Sequence, residues 1–168
     1  IPEVAPGTVL PVEGIDVRGN LLQGSIPGSY VKALNCQSGV FYGLSLSSNS
    51  FSGPIPSYLG SHCMAMSVKV LLLDDNKFTG PIPSFNLLDS LVILTLQNNQ
   101  FSGTMPDMSN MAGLIYLGIG LTEDMQHIPY DQFPEKKNPI FLALSTTRDV
   151  LPTDCISKLN PGTLGLYF

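Results

Sequence analysis

The chain has 168 residues, of which 43% are apolar, and this is enough for one domain with a substantial hydrophobic core. Its net charge is −5, its arginines are Arg18 and Arg148, and no basic stripe with interleaved aromatic residues occurs, so we expect no nucleic-acid partner. No apolar run approaches the roughly 18 residues of a membrane-spanning helix, so we expect no membrane-spanning segment.

One sequence motif recurs along the chain. It reads IDVRGNLLQGSIPGS at residues 15–29, LSLSSNSFSGPIPS at 44–57, LLLDDNKFTGPIPSF at 71–85 and LTLQNNQFSGTMPDM at 94–108. Fainter copies begin at Leu117 and Leu142, with Thr122 and Thr147 at the position of the asparagine. These asparagines and threonines lie at positions 20, 49, 76, 99, 122 and 147, so the spacings are 29, 27, 23, 23 and 25 residues. A period in the twenties predicts a solenoid.

Each copy predicts a short strand followed by an inward turn. Two leucines separated by one residue point to the same side of a strand, and coils stacked about 4.8 Å apart form a parallel sheet over a continuous core. An asparagine at the turn can both donate to and accept from backbone groups of neighbouring coils. We therefore predict a structural ladder of Asn20, Asn49, Asn76 and Asn99. A second apolar column follows two residues later, at Leu22, Phe51, Phe78 and Phe101.

The pattern resembles the plant-type leucine-rich repeat, LxxLxxLxLxxNxLxGxIPxxLG. The third copy carries Val68, Leu71, Leu73, Asn76, Phe78, Gly80, Ile82 and Pro83, and the likeness covers residues 12–147. This family includes receptor-kinase ectodomains and polygalacturonase-inhibiting proteins. The resemblance implies an α/β repeat solenoid: a right-handed superhelix with a parallel β-sheet on its concave face, little helix and about six to seven coils.

Residues 1–168 are predicted to form a single leucine-rich-repeat domain. Its repeats lie near residues 12–40, 41–67, 68–90, 91–113, 114–138 and 139–163. Neither the cysteine-paired cap of secreted family members nor a closing cap is evident, so we expect other chains or further sequence to cover the end coils. Convex loops are expected at residues 28–40 and 57–67, and single helical turns at 87–91 and 108–114.

No catalytic, metal or cofactor site is expected. His62 and His127 fall in different coils, without Cys, Asp or Glu at metal-ligand spacing. Residues 118–120 read Gly-Ile-Gly but lack the third glycine and the helix of a phosphate-binding loop. The adjacent acids Asp74 and Asp75 would point to opposite sides of a strand, which does not suit calcium. These features favour a non-enzymatic protein.

Two cysteines share one register. Cys36 lies eight residues before Leu44, and Cys63 lies eight residues before Leu71. Neighbouring coils are within the Cα separation that a disulfide needs, so Cys36 and Cys63 are a disulfide candidate, with two buried free thiols as the alternative. A bond would indicate an oxidising compartment, either extracellular or an organelle lumen. None of the ten asparagines begins a glycosylation sequon, which also fits a plastid lumen.

Function is expected on the outward face of the sheet. The positions flanking and separating the paired leucines point outward. In the first two coils they are small or polar, whereas later coils carry an apolar ridge beside Gly118, Gly120 and Ala143. The predicted partner-binding residues are Val70, Leu72, Asp74, Asp75, Ile93, Thr95, Gln97, Tyr116 and Phe141. An exposed apolar patch edged by polar groups is typical of a protein interface, although sheet curvature could also cover it.

The expected function is a non-catalytic protein–protein interaction module. One hypothesis is a scaffold or accessory subunit that docks in a larger assembly through its concave face and ends. The alternative is the ligand-recognition ectodomain of a receptor, or an inhibitor of a secreted enzyme. The sequence does not name the partner.

Overall fold

The computed structural model describes residues 3–34, 41–60, 67–121, 140–146 and 164–167, with side chains up to residue 120. In chain order its elements are β1 (Gly14–Asp16), β2 (Gln23–Gly24), α1 (Gly28–Ala33), β3 (Gly43–Ser45), β4 (Ser50–Gly53), a 3₁₀ turn (Ser57–Gly60), β5 (Val70–Leu72), β6 (Lys77–Pro81), β7 (Ile93–Thr95), β8 (Gln100–Ser102), β9 (Tyr116–Leu121), β10 (Ile140–Thr146) and β11 (Leu164–Tyr167). Cys36, Cys63, His62 and His127 lie outside the described residues.

The strands form two parallel sheets. The larger sheet has seven strands in the order β1-β3-β5-β7-β9-β10-β11, and the smaller has four in the order β2-β4-β6-β8. In each of the first four coils, the first strand thus joins the seven-stranded sheet and the second strand joins the four-stranded sheet. This arrangement confirms the predicted fold class, a parallel-strand solenoid with little helix, and about four turns contribute strands to both sheets.

One core cluster draws residues from both sheets. From the seven-stranded sheet come buried leucines such as Leu44, Leu71 and Leu94, each directly opposite its equivalent on the neighbouring strand. From the four-stranded sheet comes a stack of rings. Phe51 and Phe78 have centroids 6.1 Å apart, and Phe78 and Phe101 have centroids 6.4 Å apart, with interplanar angles of 4° and 8°. All these side chains belong to the same buried cluster.

Short helices form where the sequence predicted loops. Helix α1 buries Val31 and Ala33, and the 3₁₀ turn buries Leu59. Both begin directly after an Ile-Pro pair, because proline suits the start of a helix and the apolar residues that follow reach the core within one turn. At residues 87–91 and 108–114 no regular helix forms. The chain there makes single turns closed by i→i+3 hydrogen bonds, such as those from Leu91 N–H to Leu88 O and from Leu114 N–H to Met111 O.

The glycine of each full repeat marks the bend that follows the strand. Gly24, Gly53, Gly80 and Gly103 have φ of +89°, +76°, +76° and +79°. This left-handed region strains any residue that has a Cβ, so the glycine of the repeat is required by the backbone at the bend.

Candidate functional site

The strand register aligns the outward residues in two columns. In the first column Gly14 pairs with Gly43, Gly43 with Val70, Val70 with Ile93, Ile93 with Tyr116 and Tyr116 with Phe141. In the second the order is Asp16, Ser45, Leu72, Thr95, Gly118 and Ala143. These are the columns that the sequence predicts. The Phe141 side chain lies beyond the described side chains.

The two columns bring apolar side chains of coils three to five together. Val70, Leu72, Ile93 and Tyr116 are each half-buried, and we call these four residues the apolar ridge. Each side chain is partly covered by its neighbours on the same sheet face and partly open to solvent. Thr95 differs, because only 6% of it is exposed. The ridge is thus an apolar surface on the outward face of the sheet, and Thr95, which lies between Leu72 and Gly118 in the second column, is almost fully covered.

A third column lies at the edge of this sheet where the strands begin, and the sequence analysis missed it. It lies one residue before each of the strands β1, β3, β5, β7 and β9, at Glu13, Tyr42, Lys69, Val92 and Ile115, and we call it the leading column. The Tyr42 carbonyl oxygen accepts from the N–H groups of Lys69 and Val70, and that of Val92 accepts from those of Ile115 and Tyr116. Tyr42 is 59% exposed and Ile115 is 44% exposed. The signal in the sequence was weak, because only Tyr42, Val92 and Ile115 of these five residues are apolar or aromatic.

Asp74 is tied to both neighbouring coils. Its Oδ1 accepts from Ser47 Oγ at 2.6 Å and also from Thr95 Oγ1. Because these hydroxyls come from the coils on either side, Asp74 forms a polar bridge across three strands. Its carboxylate is therefore held as a fixed polar edge of the apolar ridge.

Asp75, the second predicted acid, is more exposed. Its Oδ1 accepts from Asn98 Nδ2 at 2.7 Å, and its Oδ2 lies 3.5 Å from Ser48 Oγ. Asp75, Ser48 and Asn98 all have positive φ, between +52° and +55°. Each of them directly precedes a ladder asparagine, so this contact forms at the sharp turn between strand and ladder.

Gln97 occupies the space that the sequence leaves open beside Tyr116. A Cβ on Gly118 would overlap Gln97 Oε1 and lie 3.0 Å from its Cδ, so a side chain at position 118 would displace the end of the glutamine from this place. Gln97 Oε1 is buried and has no hydrogen-bond donor among the described residues. The floor at Gly118 is therefore covered by a side chain rather than open for the backbone of a partner.

The asparagines of coils two to four support this face from behind. Oδ1 of Asn49, Asn76 and Asn99 accepts, at 3.0 Å in each case, from the N–H of Leu22, Phe51 and Phe78 in the preceding coil. Their Nδ2 groups donate to the carbonyl oxygens of Val17, Leu46 and Leu73 at 2.9, 3.0 and 2.9 Å. Each asparagine thus joins two coils at the end of their strands.

Asn20 is in a different setting. It is exposed, and its Nδ2 donates to Val17 O and Arg18 O, which are both in its own coil.

A charged pair lies at the first strand. Arg18 Nε donates to Asp16 Oδ1 at 2.9 Å, and its NH2 group donates to Asp16 Oδ2 at 2.7 Å. These hydrogen bonds lower the pKa of Asp16 below its ordinary value and raise that of Arg18. Both side chains are about half exposed, so the pair is a surface feature whose contribution to stability is small.

The described part of the chain contains neither a candidate metal-binding cluster nor a membrane-spanning helix. Within it, no group of three or more His, Cys, Asp or Glu side chains could hold a metal ion. In the same ranges no helix has the length and hydropathy needed to cross a bilayer.

Comparison with known families matches the repeats. The family model described as Leucine Rich Repeat matches residues 43–62 and 90–111. These segments hold the second and fourth copies of the motif. No curated protein matches the sequence.

Solved structures of plant receptors share the fold. The BIR2 ectodomain from Arabidopsis thaliana is 26% identical with a TM-score of 0.50, and the match covers 71% of this chain and 64% of that one. A TDR receptor is 28% identical with a TM-score of 0.50, covering 65% of this chain and 19% of that one. The plant peptide hormone receptor RGFR1, in complex with RGF2, is 24% identical with a TM-score of 0.58, covering 91% and 25%. The chain spans less than two thirds of the length of each.

Proposed function

We propose that this chain, which is built from leucine-rich repeats of the plant type, is a non-catalytic module that binds a protein or peptide partner. The observation that carries the proposal is the apolar ridge. Its four side chains stay half-exposed on a sheet whose inward side is fully packed. Leaving such a surface open to water is unfavourable, and a partner that covers it gains the burial of apolar area.

The partner-binding surface that we propose comprises the predicted residues and part of the leading column. Tyr116 and Ile93 form its centre, and Asp74, Asp75 and Gln97 form its polar edge. Val92 and Ile115 widen it on the side where the strands begin. This division into an apolar centre and a polar rim is the usual anatomy of a protein interface.

Two settings for the module are proposed. In the first, it is a scaffold or accessory subunit held in a larger assembly. In the second, it is the ligand-recognition part of an extracellular receptor. The second is supported by the similar structures, since BIR2 is represented by an ectodomain and RGFR1 is a receptor in complex with RGF2. The same likeness supports an extracellular position, which we include in this proposal. The mass of the native material separates the settings, because a subunit co-purifies with a stoichiometric partner.

Tyr116→Ala tests the binding surface. Central aromatic residues of an interface typically cost at least about 2 kcal/mol on truncation, which corresponds to an association about thirtyfold weaker. The ring faces outward, so the melting temperature should change little. Binding of the purified variant to the native partner is measured by calorimetry.

Tyr58→Ala is the matched control for Tyr116→Ala. Tyr58 lies in the 3₁₀ turn, away from the ridge, and is 46% exposed. We expect this variant to bind the partner as the parent chain does. Ser47→Ala is not a suitable control, since Ser47 is buried and donates to Asp74. If Tyr116→Ala binds as tightly as Tyr58→Ala, the ridge is not the interface.

A further inference from the structure

A groove lies on the outward face over the first two coils, next to the apolar ridge, with which it shares Val70. It has a volume of about 380 Å³ and is lined by Glu13, Gly14, Ile15, Asp16, Tyr42, Gly43, Ser45 and Val70. The sequence suggested only a small, polar surface here. Instead, the absence of side chains at Gly14 and Gly43 creates a depression between the taller residues around it.

Close approach of the strands keeps the floor of the groove bare. A Cβ on Gly43 would lie 2.9 Å from Val70 O, a distance that real Cβ atoms essentially never show. It would also lie 3.2 Å from Val70 Cβ. A Cβ on Gly14 would lie 3.3 Å from Gly43 O. Side chains are therefore excluded at Gly43 and crowded at Gly14, and the floor consists of backbone.

One wall of the groove is an aromatic ring that is open to solvent. Tyr42 is 59% exposed, and Val70 beside it is half-buried. Another tyrosine in the described part of the chain makes a cation–π contact, because Lys32 Nζ lies 4.3 Å from the centroid of the Tyr58 ring. No cation of the described residues faces the Tyr42 ring in this way. Tyr42 thus presents an unoccupied ring face at the groove.

The charged residues that line the groove are the acids Glu13 and Asp16, and no lysine or arginine is among the lining residues. Both oxygens of Asp16 are held by Arg18, so this pair is close to neutral. Glu13 is exposed, and the ion pairs of the described residues leave its carboxylate without a partner. Lys69 is the neighbour of Tyr42 on the other side, where its N–H donates to the Tyr42 carbonyl oxygen, but it does not line the groove. A ring face beside an unpaired carboxylate favours a cation, while an anionic group would be repelled.

We propose that this groove receives the basic side chain, arginine or lysine, of a protein or peptide partner. The alkyl stem packs on Val70 and Tyr42, the charged head lies over the Tyr42 ring and beside the Glu13 carboxylate, and the backbone floor at Gly14 and Gly43 gives it depth. The inference rests on the proposed interaction function and names a chemical feature of the partner. The net charge of −5 acts in the same direction, since it attracts basic partners.

The first experiment titrates the purified chain with Nα-acetyl-L-arginine amide while the backbone amide signals of Gly14 and Gly43 are followed by NMR. Nα-acetyl-L-citrulline amide has nearly the same shape without the charge and is the matched control probe. The expected result is saturable shifts with the arginine compound and binding at least about tenfold weaker with citrulline, because the cation–π and carboxylate contacts both require charge. Equal binding of the two compounds would overturn the proposal.

The second experiment repeats the titration with variants. Tyr42→Ala and Glu13→Gln should each weaken binding of the arginine compound about threefold or more. Tyr58→Ala and Glu3→Gln, which change the same residue types away from the groove, should leave it unchanged. Melting temperatures establish that the variants are folded. Arginine binding that survives both Tyr42→Ala and Glu13→Gln would contradict the assignment. Failure here leaves the Tyr116 test of the proposed function untouched, so the two outcomes are distinguishable.

Discussion

The inward and outward sides of the same strands differ in whether the residue type repeats from coil to coil. Inward, the residue type repeats from coil to coil, as in the leucines at 44, 71 and 94 and the asparagines at 49, 76 and 99. Outward, one column reads Ser45, Leu72 and Thr95 over the same three coils. The inward residues must satisfy identical backbone geometry in every coil, whereas the outward residues are limited only by their neighbours and solvent. Specificity for a partner can therefore reside on the outward face.

The largest expected effect comes from the inward ring stack. Phe78→Ala removes a fully buried ring that lies between Phe51 and Phe101 and should destabilise the chain by about 3–5 kcal/mol. Tyr42→Ala, an outward aromatic truncation, should change stability by at most about 0.5 kcal/mol. Urea unfolding of the two variants measures both values. Similar losses would show that the inward and outward faces are not energetically distinct.

A smaller effect is expected within the asparagine ladder. Asn76→Ala leaves the Phe51 N–H without its acceptor and removes one of the two side-chain donors to the Leu46 carbonyl, the other being Asn49 Nδ2, at a cost of about 1–3 kcal/mol. Asn20→Ala should cost about 1 kcal/mol or less, because Asn20 is exposed and bonds only within its own coil. The same unfolding measurement orders the two variants.

A neighbouring asparagine provides the control for Asn76→Ala. Asn98 is exposed and has a φ of +55°, so Asn98→Gly removes the side chain without the strain that alanine would meet. Its loss of stability should be the smaller of the two. A larger loss for Asn98→Gly than for Asn76→Ala would contradict the ladder as a support of the coils.

The smallest effect concerns protonation on the outward face. In Arg18→Met, the pKa of Asp16 should rise part of the way toward 3.8, because the side-chain hydrogen bonds of Arg18 are the largest cause of its depression and the Arg18 N–H remains. Since the folded pKa is depressed, the pair stabilises the chain above the unfolded pKa of about 3.8, and this contribution is lost as the pH falls through the folded pKa. NMR titration of the Asp16 carboxyl carbon measures the change.

Asp107 is the internal reference for this titration. Its pKa is lowered chiefly by the backbone N–H of Ser109, so it should be the same in the parent chain and in Arg18→Met. A shift of Asp107 as large as that of Asp16 would show a general rearrangement instead of the loss of one ion pair.

Much of the scaffold was predictable because repetition amplifies weak signals. Leu71 or Asn76 alone says little, but four copies of the same spacing predict the strand register and the outward columns. The short helices were missed, because residues 28–33 and 57–60 carry few helix signals and become helical by burying Val31 and Leu59. The repeat boundaries remain a prediction. The Cys36–Cys63 bond also remains a prediction, since both cysteines lie outside the described residues.

The candidate site was predictable in position but not in detail. Val70, Leu72, Ile93 and Tyr116 come together as the spacing predicts. The Gly118 floor, in contrast, is covered by Gln97, and Asp74 is engaged by two hydroxyl groups. Side-chain choices of this kind depend on atoms from adjacent coils, which a repeat pattern does not specify.

The sequence by itself determined the solenoid, its parallel register and the identity of its inward columns, because each of these follows from backbone groups that every coil must satisfy in the same way. Only the tertiary structure decided which outward side chains are free. Tyr42 stays exposed beside a bare glycine floor because the strands at Gly43 and Val70 approach too closely for a Cβ, and Gln97 lies over Gly118 because no side chain is there to exclude it. The exposure of Tyr42 and the position of Gln97 depend on distances between coils, which the sequence of a single repeat does not specify.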